Sequence, residues 1–284
     1  MRIGKYPLGL AVFMAIATPA IAAEDIMPMP KAGAGAFSAS TAITTEYYFR
    51  GLSQTNDKPA VQGSLGYSYD FGGVTGSGSV WASNVNFGDA TIEIDYTLGL
   101  GGDVKGISWG VGGIYYAYPG SDDRDAQFDQ DYIEMFGTLG YDFKYFALGA
   151  GINYSPDFQA ESGKGMYYNA NVRIPLGKYL DLGASIGRQT ISNNTNFGQV
   201  DWVDYKVGVS TVLAGFDRSW PISTPIIRDP LFRMRLSRFH DLPVVLTARP
   251  MPPGDLIPPG GDRLSIGGRR RFVLLPNIRT QFHL

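Results

Sequence analysis

Residues 61–71 read VQGSLGYSYDF, and the fold turns on how this stretch is oriented. Val61, Leu65, Tyr67, Tyr69 and Phe71 are apolar or aromatic and stand at alternate positions. Between them come Gln62, Ser64, Gly66, Ser68 and Asp70, all small or polar. A period of two puts the two sets on opposite faces of a strand. A soluble sandwich turns the greasy face inward, whereas a membrane barrel turns it outward to lipid.

Ten such segments follow one another between residues 37 and 216. The first, SASTAITTEYYFRG (38–51), sets Ala39, Thr41, Ile43, Thr45, Tyr47 and Phe49 against Ser38, Ser40, Thr44, Glu46, Tyr48 and Arg50. The fourth sets Ile92, Ile94, Tyr96, Leu98 and Leu100 against Glu93, Asp95 and Thr97. The sixth sets Ile133, Met135, Leu139, Tyr141 and Phe143 against Glu134, Thr138 and Asp142. The eighth sets Met166, Tyr168, Ala170, Val172 and Ile174 against Tyr167, Asn169, Asn171 and Arg173. In the third, about 74–85, Val80 and Trp81 compete for the apolar face. Helix is a poor alternative, because interior glycine at this density costs about 1 kcal/mol per position relative to alanine.

The links decide between sandwich and barrel. Gly72-Gly73, Lys144-Tyr145, Gly177-Lys178 and Ala214-Gly215 are tight; PGSDDRDAQFDQD (119–131), PDFQAESGK (156–164) and QTISNNTNFGQV (189–200) are long and polar. Short turns at one end and long loops at the other belong to an up-and-down barrel, while Greek-key sandwiches mix both. Aromatic clusters near segment ends (Tyr47, Tyr48, Phe49; Tyr115, Tyr116, Tyr118; Tyr167, Tyr168) read as interfacial girdles. The expected fold is an all-β, up-and-down antiparallel transmembrane β-barrel.

The 284 residues divide into four parts. Residues 1–23 read as a signal peptide, with Arg2 and Lys5, a short apolar run from Leu8 to Ile16, and a small-x-small site at Ala20-Ile21-Ala22. Residues 24–36 read as a flexible lead-in, 37–216 as the barrel and 217–284 as an aberrant tail. With no cysteine, there is neither a disulfide framework nor a thiolate zinc site. A net charge of −2 argues against a nucleic-acid partner.

Several stretches resemble the TorF family, porins by name, a proteobacterial outer-membrane barrel family also catalogued as a domain of unknown function. They are TTEYYFRGLSQTNDKPAVQGSLGYSYDFG (44–72), VWASNVNFGD (80–89), IYYAYPG (114–120), INYSPDF (152–158), MYYNANVRIPL (166–176) and VDYKVGVSTVLAGFD (203–217). The resemblance implies a barrel of about twelve strands in the outer membrane of a Gram-negative bacterium. It also implies two further strands after the LAGFD turn, the last closing on an aromatic residue read by the barrel-insertion machinery.

Here the chain departs from that pattern. Residues 217–284 carry 11 of the 16 Arg, 10 of the 18 Pro and both His, and none of the Tyr, Lys or Glu. So abrupt a change suggests a translated frameshift; the rival is a genuine basic tail. Ten of twelve expected strands are present, two edges are left unpaired unless strand one pairs with strand ten to close a ten-strand barrel, and the tail is expected to be disordered with scattered short elements.

No catalytic constellation is found, since residues 37–216 contain no histidine to serve as a base. DDRDAQFDQD (122–131) lacks the glycine and terminal Glu of an EF-hand, so no metal is assigned. LGLGGDVKG (98–106) precedes no helix and is no phosphate cradle, so no cofactor is assigned. The expected function is passive transport of small solutes by an outer-membrane porin, with outer-membrane lipid as its surroundings and no enzymatic activity. Glu46, Arg50, Glu93, Asp95, Glu134 and Arg173 are the candidates for the lumen face. The alternative is a structural or adhesive outer-membrane protein with a closed lumen, acting through its extracellular loops.

Overall fold

A computed structural model describes residues 33–121, 128–177, 180–213, 216–221, 226–227 and 245–248. The proposed signal peptide, most of the proposed lead-in and most of the 217–284 tail lie outside these residues, as does most of the acidic 122–131 loop. Ten long strands come first: β1 (Gly35–Thr44), β4 (Ala60–Asp70), β5 (Val74–Phe87), β6 (Ala90–Val104), β7 (Ile107–Ala117), β8 (Tyr132–Asp142), β9 (Ala147–Ser155), β10 (Gly165–Pro175), β11 (Leu180–Ile191) and β12 (Trp202–Leu213). A small hairpin, β2 (Tyr48–Phe49) and β3 (Leu52–Ser53), lies between β1 and β4. A one-turn helix, α1 (Asn194–Phe197), lies between β11 and β12. Three short strands follow: β13 (Phe216–Pro221), β14 (Ile226–Ile227) and β15 (Val245–Ala248). No described helix is long and apolar enough to cross a membrane, which says nothing about crossing by strands.

Every sheet neighbour is antiparallel, and from β4 to β12 each long strand pairs with the next. The ladder then returns on itself, β12 to β13, β13 to β15, β15 to β1 and β1 to β4. Twelve strands thus form a ring. The two edges expected to stand open are bridged by β13 and β15, both from the segment read as an aberrant tail. Closure matters because each unpaired backbone group in hydrocarbon costs several kcal/mol.

The greasy faces point outward. Leu65, Leu98, Ile107, Leu139, Leu148 and Ile186 are all exposed on the outer wall, with Leu98 at 72% and Leu65 at 68%. A band of this kind far exceeds the apolar patches that water tolerates, and each such side chain gains about 1.5–3 kcal/mol on leaving water. At the turn end the outer wall carries an aromatic girdle, with ring pairs Phe37–Tyr67, Tyr69–Phe71, Tyr141–Phe143 and Phe143–Phe146. The chain is a transmembrane β-barrel. In the third segment the competition resolves with Val80 outward and Trp81 inward.

The first segment is the main departure. The strand ends at Thr44, whose hydroxyl donates to the Glu46 carbonyl at 2.7 Å, and residues 46–55 fold into the barrel instead of extending along lipid. Tyr47 and Phe49, expected on the lipid face, are buried at 0% and 6%. Alternation survives because β2 and β3 are themselves a hairpin, so the pattern alone cannot reveal the change of direction. The loop-end aromatics accordingly do not all form a girdle. Tyr115 and Tyr168 face out, while Tyr116, Tyr118 and Tyr132 join an interior cluster with Trp81, Ile114, Phe136, Phe158 and Trp202.

Candidate functional site

The interior has two halves. Toward the tight turns the wall is lined by Ser64, Ser77, Gly99, Gly110, Thr138, Gly149, Gly183 and Ser185, with Asn169 and Asn171 lying across Gly151 and Gly149. A Cβ at Gly149 would meet Asn171, and one at Gly112 would run into the Leu98 carbonyl and the Phe136 ring. Toward the long loops the space is filled, and what fills it is the β2–β3 hairpin together with the wall aromatics.

Arg50 is at the tip of that hairpin. Arg50 and Gly51 form its two-residue turn, with φ of 47° and 80°. Two positive φ values mark a type I′ turn, which favours Asn-Gly, and a left-handed arginine costs about 1–2 kcal/mol. The side chain offsets that cost. Nη1 and Nη2 of Arg50 donate to the two carboxylate oxygens of Glu134 on β8 at 2.8 and 2.7 Å. Nη1 also donates to the side-chain carbonyl of Gln189 on β11 at 2.7 Å. The guanidinium lies 4.1 Å from the ring centroid of Tyr167 on β10 and 4.6 Å from that of Phe49. Trp202 on β12 donates its indole N–H to the Arg50 carbonyl at 2.8 Å. Burial works against the charge on Arg50, but the Glu134 carboxylate outweighs it and raises the pKa above the ordinary arginine value.

Glu134 is itself held by the wall. The Tyr116 hydroxyl on β7 and the Asn153 amide on β9 each donate to its Oε2 at 3.3 Å. The hairpin's other end is fastened through Tyr47, whose hydroxyl donates to Glu93 Oε1 at 3.3 Å and whose ring meets Trp81 edge-on. Burial, then the Glu93 and Asp95 charges, push the Tyr47 hydroxyl well above the usual phenol range, so it stays a donor. Asp95 stands opposite Tyr116 in the register and is fully buried, and among the described residues neither of its carboxylate oxygens has a hydrogen-bond partner, nor has Glu93 Oε2.

Of the residues singled out from sequence, Arg50, Glu93, Asp95 and Glu134 come together in the loop half. Glu46 lies at the hairpin's entry, half-buried, accepting the Tyr48 hydroxyl; burial raises its pKa. Arg173 is elsewhere, 3.9 Å from Asp142 toward the turn end. Gln189 belongs to the site although QTISNNTNFGQV (189–200) reads as a polar link, because β11 runs on to Ile191. Sequence reading missed Tyr116 and Trp202, whose interior positions follow from strand parity once the register is known. Among the described residues no group of three or more acidic or histidine side chains could hold a metal ion.

The family model described as "Bacterial protein of unknown function (Gcw_chp)" matches residues 30–227. The chain belongs to the Gcw_chp family. The match takes in every strand from β1 to β12 and continues through β13, so the Gcw_chp region contains the hairpin and all of its wall partners. No curated protein matches. Among solved structures, the COG4313 outer membrane channel from Pseudomonas putida F1 is similar at 11% identity and a TM-score of 0.43, over 76% of this chain and 94% of that one. LpxR from Salmonella typhimurium gives 10% and 0.41, over 74% and 99%. The translocator domain of autotransporter NalP from Neisseria meningitidis gives 10% and 0.37, over 78% and 90%. The reading of this Gcw_chp chain as a barrel rests on its own strand pairing and its outward apolar face.

Proposed function

We propose that the protein is an outer-membrane channel for small solutes, held shut by the β2–β3 hairpin. One observation carries the reading. The outer half of the lumen is occupied by a segment inserted from a loop and latched at one arginine, while the other half is lined mainly by Gly, Ser, Thr and Asn, with the Arg173–Asp142 pair toward the turn end. A barrel that only needed a solid interior could fill it with wall side chains. An inserted hairpin is a part that can leave. The signal peptide, the TorF-like stretches and the outward apolar band support the location, and the lack of histidine in residues 37–216 supports a non-enzymatic role. Residues 23–216 carry a net charge of about −10 by count, which favours cations. Planar-bilayer recording tests the proposal. The intact chain should show rare or small openings, and replacing residues 47–55 by a Gly-Ser linker should give steady conductance. Silence from the linker variant, with its barrel folded, rules the channel out.

One observation favours the alternative of a closed barrel acting through its loops. The loop ends are tied to one another: Ser192 N donates to the Lys164 carbonyl at 2.9 Å, Asn193 N to the Ser162 carbonyl at 2.9 Å, and the Asn196 amide to the Glu161 carbonyl at 3.1 Å. Such a preformed surface suits binding. Loop exchange that abolishes surface attachment while leaving permeability unchanged would favour this reading.

A further inference from the structure

We infer that the wall pocket gripping Arg50 is a receptor for small guanidinium cations, and that Arg50 is its tethered occupant; the biological meaning rests on the channel reading above. The pocket belongs to the wall, not to the hairpin. Glu134, Gln189 and Tyr167 come from β8, β11 and β10 and supply, in turn, a carboxylate, an amide oxygen and an aromatic face. Paired parallel N–H···O bonds to one carboxylate, with a ring stacked on the plane, are what distinguish a guanidinium from a simple metal cation. With the hairpin seated Glu134 is 1% exposed and Gln189 is fully buried, so a cation taking the place of the Arg50 side chain alone meets a dry, shaped site. The site is pre-aimed, because Tyr116 and Asn153 orient the carboxylate independently of Arg50.

Charge argues the same way. Glu93, Asp95 and Glu134 are buried in the hairpin's half of the lumen, and Arg50 is the cation paired to Glu134; among the described residues three of the carboxylate oxygens on Glu93 and Asp95 have no hydrogen-bond partner. Withdrawing Arg50 would leave the Glu134 carboxylate buried without its cation, and so a site that attracts a positive ion. The turn gives a third indication. A left-handed arginine stands where asparagine or glycine suits the backbone, and the contacts its side chain makes offset that strain. Tethering gives Arg50 a high effective concentration, so free cations compete well only when the hairpin swings out or its arginine is removed.

The test removes the occupant and supplies it in solution. Arg50→Ala, refolded in detergent, is titrated with ethylguanidinium while thermal unfolding is followed. Ethylguanidinium should raise the unfolding temperature at about a tenfold lower concentration than KCl, the worth of a charge-assisted hydrogen-bond pair. Adding Glu134→Gln to the variant should erase that advantage. Equal effects of ethylguanidinium and KCl would overturn the inference. Should the alanine variant not refold, Arg50→Asn preserves the turn. Should neither refold alone, recovery of folded barrel when ethylguanidinium is present during refolding supports the site, and no recovery overturns it. Conductance separates this inference from the channel reading. Binding without conduction in any variant sinks the channel and leaves the receptor; conduction insensitive to ethylguanidinium does the reverse.

Discussion

At the scale of single residues, the Arg50–Glu134 pair dominates. Its two side chains are 5% and 1% exposed, so each charge depends on the other. Removing one partner from such a pair costs about 3–5 kcal/mol, because the survivor is left buried and uncompensated. Glu134→Ala should therefore destabilise the barrel severely in denaturant titrations. The Arg50→Ala/Glu134→Ala double variant should lose clearly less than the two single losses combined. Additive losses in that cycle would mean the two charges do not communicate.

At the scale of elements, the hairpin can be separated into turn and latch. Arg50→Asn improves the fit of the backbone at φ 47° while deleting every contact the guanidinium makes. If the latch holds the pore shut, this variant should conduct several-fold more than the parent in planar bilayers, despite its better turn. Unchanged conductance would assign closure to Tyr47, Phe49 and Trp202 instead. This element also marks where the sequence stopped being legible. The ten long strands and most of their faces could be read from period two, because lipid and lumen impose opposite demands on adjacent residues; the face of the third segment, Val80 or Trp81, could not. TEYYFRGL (45–52) has the same period for a different reason. A two-stranded hairpin packed in a lumen also alternates, so Tyr47 and Phe49 looked lipid-facing. Acidic and basic lumen residues could be nominated one at a time, but their pairing across the barrel, Arg50 to Glu134 over 84 positions, needs the register. The link between β5 and β6 was likewise obscured, since a two-residue connection at Gly88-Asp89 stands on the side otherwise occupied by long loops.

At the scale of the whole barrel, the wall is uneven. Pairing runs unbroken from Gly165 to Pro175 along β10 and β11, yet β1 meets β15 only at Thr41–Ile43 and β15 meets β13 only from Phe216 to Ser219. Short ladders open at low free energy. Amide exchange should begin in β1 at Thr41–Ile43 and in β12 at Gly208–Leu213, well before β10; uniform protection around the ring would show the seam to be as firm as the rest. Two full-length alternating strands in place of the residues after 217 should abolish that early exchange. The hairpin has a consequence here too, one of assembly order. It is made near the start of the chain, yet its seats on β8, β11 and β12 are made near the end. It can thus act as a mandrel on which late-arriving staves are aligned, and a barrel refolded without it should wind more slowly and misregister more often.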